Sequence, residues 1–279
     1  MKKSTRRSFV TGAGTALAVS LAQPSEGTIA NETGGFKLGI TTWSLKSFAR
    51  SLAIEMIRQM HTPYVSVKEF HLPYRSTPEE LAAGRREFEK AGLQIVGGGV
   101  INLHENNETD IRKYFNYAKT CGMPMIACSP THENLKLLEA MVQEFDIKAA
   151  IHNHGAMDKN FPSPDSILKA VHNLDSRVGM CMDIGHAAAI GVDIVQALAD
   201  AGPRLLDMHI KDAKVASAEN SGCDVGEGVL PIVPILPQLQ KMKFQGCVNL
   251  EYEFDYDAPL TGILKSFAYL RGALTALNS

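Results

Sequence analysis

The feature that most constrains this chain is an alternation of short apolar runs, rich in β-branched residues, with longer amphipathic stretches. The strand-like runs are residues 38–45, 64–71, 93–103, 124–129, 149–154, 178–184, 205–210 and 247–252. Helical periodicity is found at residues 77–91, 108–121, 133–144, 163–173, 193–201 and 231–241. Near-continuous apolar strands that alternate with helices are typical of a parallel sheet covered on both faces. The pattern predicts an α/β fold, a single (β/α)₈ TIM barrel.

A doubly wound sheet is the alternative architecture. It is disfavoured because no G-x-G-x-x-G motif follows a predicted strand; the three glycines Gly97, Gly98 and Gly99 lie within one. A chain of 279 residues is long enough for one barrel or for two smaller domains. We assign residues 36–279 to the barrel, so that no second domain is needed.

The N-terminal segment differs from the rest of the chain. Residues 1–22 begin with Lys2, Lys3, Arg6 and Arg7, continue with a mildly apolar run and end in small residues, as in a secretory signal peptide. The Arg6-Arg7 pair resembles the twin-arginine export signal. We therefore expect a periplasmic or otherwise exported protein without a membrane anchor after leader removal, and a polar tether at residues 23–35.

The net charge disfavours a nucleic-acid partner, and the cysteine content disfavours a disulfide framework. Lys plus Arg is 28 and Asp plus Glu is 30, so the net charge is −2, and loss of the four basic leader residues leaves −6. Such a chain lacks the basic footprint of a nucleic-acid-binding protein. Five cysteines without a C-x-x-C spacing do not form an even disulfide framework, and we expect free thiols.

Imidazole, carboxylate and ammonium side chains lie at the C-terminal ends of five of the predicted strands. They are Lys68 and His71 at the end of the second run, His152 and His154 at the fifth, Asp183 and His186 at the sixth, His209 and Lys211 at the seventh, and Glu251 and Glu253 at the eighth. Active sites of TIM barrels lie at the C-terminal ends of the strands. The sequence therefore predicts that these side chains meet at one rim.

Mixed nitrogen and oxygen donors on neighbouring strands suit a divalent cation. Asp183 and Glu251 each end an apolar strand, where a carboxylate is costly unless it is paired or binds metal. Residues two apart share one face of a strand. His152 and His154 are therefore both candidate ligands, and we favour the first. The histidines His61, His104, His132 and His172 lie in helices or loops and are not assigned to the site.

Three short motifs extend this pattern: DIGH at 183–186, HIKD at 209–212 and LEYE at 250–253. In their order and strand placement they resemble the xylose isomerase-like TIM-barrel superfamily of sugar isomerases, epimerases and dehydratases, over residues 36–277. The resemblance implies one divalent metal ion, with one ligand from each of strands five to eight. Carried over one position at a time, the ligands are His152, Asp183, His209 and Glu251. Mn²⁺ is favoured, with Co²⁺, Mg²⁺ and Zn²⁺ as alternatives.

The chemistry implied by the resemblance is removal of a proton beside a sugar carbonyl, giving an enolate or enediolate. Catalytic roles fall to His152, Glu251 and Lys211. Residues expected to contact the substrate are Lys68, His71, His154, His186 and Glu227. Family members that epimerise ketoses carry a glutamate at the end of strand five, where this chain has His152, so their two-glutamate mechanism is not carried over.

Three functions stay open at this stage. The first is a sugar isomerase or epimerase acting on a non-phosphorylated sugar or keto-sugar. The second is a lyase that eliminates a substituent from 3-keto-glycosides, because the KEFHLP segment at 68–73 resembles an exported branch that includes such enzymes. The third is an exported sugar-binding protein without catalysis. The partner is a small-molecule sugar or keto-glycoside in each case; the oligomeric state is open, with a homodimer as one alternative.

Overall fold

A computed structural model describes residues 34–218 and 221–279. Eight parallel strands close into a barrel in which each strand pairs with its neighbours along the chain and the last returns to the first. The barrel strands are β1 (Lys37–Thr41), β2 (Tyr64–Val67), β3 (Gln94–Leu103), β4 (Met125–Pro130), β5 (Lys148–His152), β6 (Val178–Asp183), β7 (Leu205–Ile210) and β10 (Cys247–Leu250). The predicted (β/α)₈ barrel is confirmed.

Helices cover the outside of the barrel. They are α1 (Arg50–Gln59), α2 (Pro78–Lys90), α3 (Glu108–Cys121), α4 (Leu135–Phe145), α5 (Pro164–Val171), α6 (Ile184–Ala189), α7 (Ile194–Ala201), α8 (Ile232–Lys241) and α9 (Leu260–Leu277). Local sequence explains several of the boundaries. Thr77 and Glu80 form a reciprocal capping box ahead of α2, and Gly122 ends α3 in the left-handed region at φ 69°.

The apolar core lies between the strands and the helices, where Phe36, Phe88, Phe115, Phe161 and Phe267 are fully buried. Small and medium side chains fill the barrel interior instead. One such layer contains Met125, Ala127, Ala150 and Cys181. Since residues two apart share a face, the next inward positions on β5 and β6 are His152 and Asp183, directly above this layer. The packed interior thus forms the floor of the site.

Some element boundaries differ from the predicted ones. The first run ends as a strand at Thr41 and continues as a 3₁₀ helix over Thr42–Leu45, because the Thr41 side chain accepts a hydrogen bond from the Trp43 N–H and starts a helical turn. The second run ends as a strand at Val67. A short antiparallel pair, β8 (Asp212–Ala213) with β9 (Gly222–Cys223), follows the seventh barrel strand. Helices α1, α6 and α9 were not among the predicted ones.

The five cysteines are free and buried, as predicted. Among the described residues, no helix has both the length and the apolar character needed to cross a bilayer. The predicted signal peptide and most of the predicted tether, up to residue 33, lie outside the described residues. Their boundaries stay predictions.

Candidate metal centre and active site

Four strands of the barrel each supply one buried side chain to a cluster at their C-terminal ends. His152 ends β5, Asp183 ends β6, His209 is the fifth residue of β7, and Glu251 directly follows β10. The strand register places Asp183 opposite His209. All four side chains are 0–4% exposed. These four residues therefore meet at one rim of the barrel, as the sequence predicts.

The ligand-type atoms of the cluster are close enough to share one cation. His152 Nε2 lies 3.1 Å from His209 Nδ1 and 3.4 Å from Asp183 Oδ2. His209 Nδ1 lies 3.1 Å from Glu251 Oε2 and 3.9 Å from Asp183 Oδ2. With metal–ligand bonds of about 2.0–2.2 Å, neighbouring donors of one ion are roughly 3.0–3.6 Å apart. Two imidazoles and two carboxylates at these separations fit a divalent metal ion.

Burial and the surrounding charges keep His152, Asp183 and Glu251 in the states that bind a cation. Burial lowers the pKa of His152 to about 3, so its imidazole is neutral at physiological pH. Burial alone would raise the pKa of Glu251, but His209 and Lys211 beside it outweigh that effect and hold the pKa well below its usual value. The pKa of Asp183 is likewise lowered, since the Lys211 ammonium outweighs its burial. The cluster thus offers a neutral imidazole at His152 and two ionised carboxylates. The pKa of His209 is raised instead, because Glu251 beside it outweighs the effect of burial.

Lys211 joins the carboxylates of the site. Its Nζ lies 2.8 Å from Asp183 Oδ2 and 2.9 Å from Glu251 Oε2, and it also contacts Glu253 Oε2. Burial would lower the pKa of Lys211, but these carboxylates raise it well above its usual value, so the side chain is a permanent cation. Gly185 makes room for it, because a Cβ atom at that position would lie 2.6 Å from Lys211 Cδ. The DIGH and HIKD motifs are therefore joined by direct packing.

A cavity of about 750 Å³ opens onto this cluster. Its wall includes His152, Glu251, Lys68, His154 and His186. Lys68 is 6% exposed, with its Nζ 4.9 Å from the centre of the Trp43 ring. Burial lowers the pKa of Lys68, against the opposing effect of Glu251. The cavity has the size and the few convergent polar groups of a small-ligand site.

His154 stands beside the cluster rather than in it. Its ring centre lies 4.3 Å from that of His152, and its Nδ1 lies 3.4 Å from Asp158 Oδ2. Among the described residues, the four-residue group that could hold a metal contains His152 and not His154. Of the two histidines that the sequence left open, the geometry thus places the first with the other three donors.

Two residues expected to contact the substrate do not line this cavity. His71 is 1% exposed, and its Nε2 lies 3.1 Å from the Phe48 carbonyl oxygen, so it packs within the fold. Glu227 is exposed and lies 3.5 Å from the Lys214 ammonium. The reason for both is local backbone geometry: a turn after β2 carries His71 away from the rim, and the loop after β9 carries Glu227 to the surface.

Asp207, Asn249 and Asp212 are buried polar residues near the site that were not singled out from the sequence. Asp207 lies below His209 on β7, where its Oδ1 accepts a 2.9 Å hydrogen bond from Asn249 Nδ2. Burial raises the pKa of Asp207 to about 7. Asp212, the last residue of HIKD, accepts hydrogen bonds from four backbone N–H groups of the loop around β8 and β9, including those of Gly226 and Gly228. A carboxylate two residues before His209 on the same face of the strand was the signal available for Asp207.

The barrel and the centre at its rim define a class of protein, and a family comparison agrees with them. Residues 52–273 match the model of the xylose isomerase-like TIM barrel family, which is most of the chain. The chain belongs to this family. A search of curated proteins finds no match.

Solved structures with the same fold include several sugar epimerases. The chain is 24% identical to an uncharacterised protein from Parabacteroides distasonis, covering 85% of this chain and 98% of that one at a TM-score of 0.67. It is 15% identical to the Escherichia coli 3-keto-D-glucoside 4-epimerase, covering 85% and 99% at a TM-score of 0.70. It is 16% identical to a D-psicose 3-epimerase, covering 86% and 98% at a TM-score of 0.67. At these identities the likeness establishes the fold.

Proposed function

We propose that the protein is a divalent-metal-dependent enzyme of the sugar isomerase or epimerase type, which removes a proton beside the carbonyl of a non-phosphorylated sugar or keto-sugar. The observation that carries this proposal is the buried group of His152, Asp183, His209 and Glu251 facing a cavity of about 750 Å³. Mn²⁺ is the ion we propose for it. Four buried donors would be costly to maintain in a protein that only holds a sugar.

A bound divalent ion would polarise the substrate carbonyl and acidify the neighbouring C–H. His152, Asp183, His209 and Glu251 would hold it. The protein groups then divide the proton transfer. Glu251 Oε2 faces His209 and Lys211, and we assign proton acceptance to Oε1 of the same carboxylate.

The second proton carrier is an imidazole. The sequence assigns this role to His152, but its Nε2 faces the donor cluster and its Nδ1 is buried. His154 is partly exposed, lines the cavity and lies against His152, so we propose it as the group that returns a proton to the substrate. Lys68 donates hydrogen bonds to substrate oxygens, while Lys211 compensates negative charge near Glu251.

The charges of the cavity support a substrate without a phosphate group. Among the described residues that line it, the lysines are Lys68 and Lys159, and no arginine is present. Phosphate groups are usually held by arginine forks or by helix N-termini. Ketoses and keto-glucosides, which give two of the structural neighbours their names, are the first substrates to test.

A β-elimination on a keto-glycoside is the second candidate. This reaction needs a base that removes the proton beside the carbonyl and an acid that protonates the leaving group. His186 provides a candidate, because its ring centre lies 5.7 Å from that of His154 on the cavity wall. The initial proton abstraction is the same for both reactions, and only the fate of the carbanion differs.

The test is incubation of the Mn²⁺-loaded protein with D-psicose, D-fructose and 3-keto-glucosides in deuterated water, followed by NMR. Deuterium at the carbon beside the carbonyl supports isomerisation or epimerisation, whereas release of the aglycone with an unsaturated sugar supports elimination. Glu251→Gln is expected to abolish either product, and the exposed His172→Ala to leave it unchanged. If wild-type protein with bound metal gives neither product with any keto-sugar, the binding-protein alternative replaces the proposal.

We also propose that the protein is exported through the twin-arginine pathway. The proposal rests on Arg6, Arg7 and the apolar run that follows them in the sequence.

A further inference from the structure

A second cavity adjoins the first one. It measures about 610 Å³ and lies on the side of the centre formed by the loops after β6, β7 and β10. The two cavities share His186, Glu251 and Glu253 as wall residues. Each of them is large enough for a small ligand by itself. The two cavities thus meet at these three side chains, and the second one lies directly beside a ligand held over the candidate metal centre.

More of the residues that line the second cavity are apolar or aromatic than in the first. The wall of the second cavity is built largely from apolar and aromatic side chains, among them Val225, Leu250, Tyr252, Phe254 and Tyr256. The rings of Tyr252 and Phe254 pack together, with their centres 4.1 Å apart. Tyr252 itself is 4% exposed, so the half-buried Phe254 and Tyr256 present the aromatic surface of the wall. Aromatic surface of this kind favours contact with another ring.

Several polar groups of the same wall are already engaged within the protein. Both oxygens of Asp212 accept backbone N–H hydrogen bonds, and the Ser221 hydroxyl lies within hydrogen-bond distance of two backbone carbonyl oxygens. The Lys211 ammonium contacts three carboxylates. A second sugar unit would need free donors and acceptors here, because unpaired hydroxyl groups are costly to desolvate. An apolar group needs none of them.

We infer that the second cavity binds an apolar, preferably aromatic, substituent carried by the sugar, so that the substrate class is a glycoside with an apolar aglycone rather than a free monosaccharide. This inference rests on the proposed sugar site but does not depend on the reaction. The sugar ring occupies the cavity over the four donors. The aglycone lies beyond Glu253, against the aromatic wall.

The experiment compares binding of glucose, methyl β-glucoside and phenyl β-glucoside to the Mn²⁺-loaded protein by calorimetry. We expect phenyl glucoside to bind about tenfold more tightly than methyl glucoside, a difference of about 1.4 kcal/mol. Ala189→Phe tests the location, since Ala189 is an exposed residue at the end of α6 that lines the second cavity. This variant is expected to remove the preference for phenyl and to leave methyl glucoside unaffected. Ile190→Phe, next to it and lining neither cavity, is the matched control.

Equal affinities for the phenyl and methyl glucosides in the wild-type protein would overturn the inference, and this comparison needs no variant. Tighter binding of a glucose disaccharide than of phenyl glucoside would overturn it in favour of a second sugar subsite. The deuterium experiment tests the proposed reaction independently of this binding experiment. Tighter binding of phenyl glucoside without deuterium exchange or elimination would support the aglycone site and contradict the proposed reaction. Deuterium exchange with equal binding of the two glucosides would support the reaction and contradict the aglycone site.

Discussion

The ammonium nitrogen of Lys211 lies 2.8 Å from Oδ2 of Asp183, a carboxylate that is completely buried. Asp183 ends β6, and Lys211 directly follows the adjacent strand β7. They belong to DIGH and HIKD, two of the three motifs by which the sequence resembles its family. The contact holds the carboxylate of a candidate metal ligand in its ionised form. It also makes the charge balance of the centre depend on one lysine.

Replacement of that lysine is expected to destabilise the protein strongly. Lys211→Met leaves Asp183 and Glu251 without their cation, and loss of one partner of a buried ion pair costs about 3–5 kcal/mol. Urea unfolding of EDTA-treated protein measures the loss, and added Mn²⁺ is expected to reduce it by supplying positive charge. The control is Lys214→Met, because Lys214 makes an exposed pair with Glu227. Similar stability losses in both variants would contradict the assignment.

The pH dependence of stability follows from His152. A free histidine titrates near pH 6.5, and burial lowers the pKa of His152 to about 3. Its contribution to stability is therefore complete above pH 6.5 and is lost as the pH falls toward 3, by up to about 1.4 kcal/mol per pH unit. We compare the urea concentration at the unfolding midpoint in EDTA-treated protein at pH 7 and at pH 5. Lowering the pH is expected to reduce this midpoint less for His152→Gln than for the wild type. Equal slopes would mean that His152 is protonated in the folded protein.

Asp212 is expected to stabilise the loop around β8 and β9 and to have no effect on metal binding. Its two carboxylate oxygens accept hydrogen bonds from backbone N–H groups, those of Gly226 and Leu230 among them. Asp212→Asn turns one of these acceptors into a donor and is expected to lower the free energy of unfolding by about 2 kcal/mol or more. The exposed Asp257→Asn is the control in the same urea experiment. The metal content per folded chain is expected to stay at the wild-type level in both variants.

Export is expected to depend on the arginine pair. Changing Arg6 and Arg7 to Lys keeps the charge of the leader but removes the paired arginines. We expect the double variant to stay in the cytoplasm with a barrel of unchanged thermal stability. Fractionation followed by a melting curve measures both properties, with Lys2→Arg as the control. An unchanged periplasmic yield would contradict the assignment.

The barrel and its four donors could be predicted because local pattern determines both. Apolar strands with a period of two indicate which residues share a face, and the parallel arrangement brings all strand ends to one rim. These two rules predict that the polar strand-end side chains meet. The choice of His152, Asp183, His209 and Glu251 among them came from the resemblance of the DIGH, HIKD and LEYE motifs to the family. The helix at Pro78–Lys90 was predicted because Thr77 and Pro78 mark its start.

Other features depend on contacts between distant parts of the chain. Ala49 and Pro259 precede helices α1 and α9, and neither caps its helix with a side-chain hydrogen bond. The sequence therefore carries no clear start for these two helices. The burial of His71 depends on the Phe48 carbonyl oxygen 23 residues away. The role of Asp212 depends on a loop up to 18 residues further along the chain. Such pairings are decided by tertiary packing and not by local propensity.

The central claim is that His152, Asp183, His209 and Glu251 hold one divalent ion, and elemental analysis of the purified protein tests it most directly. We expect about one ion per chain in the wild type after loading with Mn²⁺, and a loss of more than about tenfold in metal affinity for an alanine at any of the four positions. His154→Ala, which changes the neighbouring imidazole on the cavity wall, is expected to keep its metal. A wild-type protein that retains none of Mn²⁺, Co²⁺, Mg²⁺ or Zn²⁺ would contradict the claim, as would loss of the ion from His154→Ala with retention by His152→Ala.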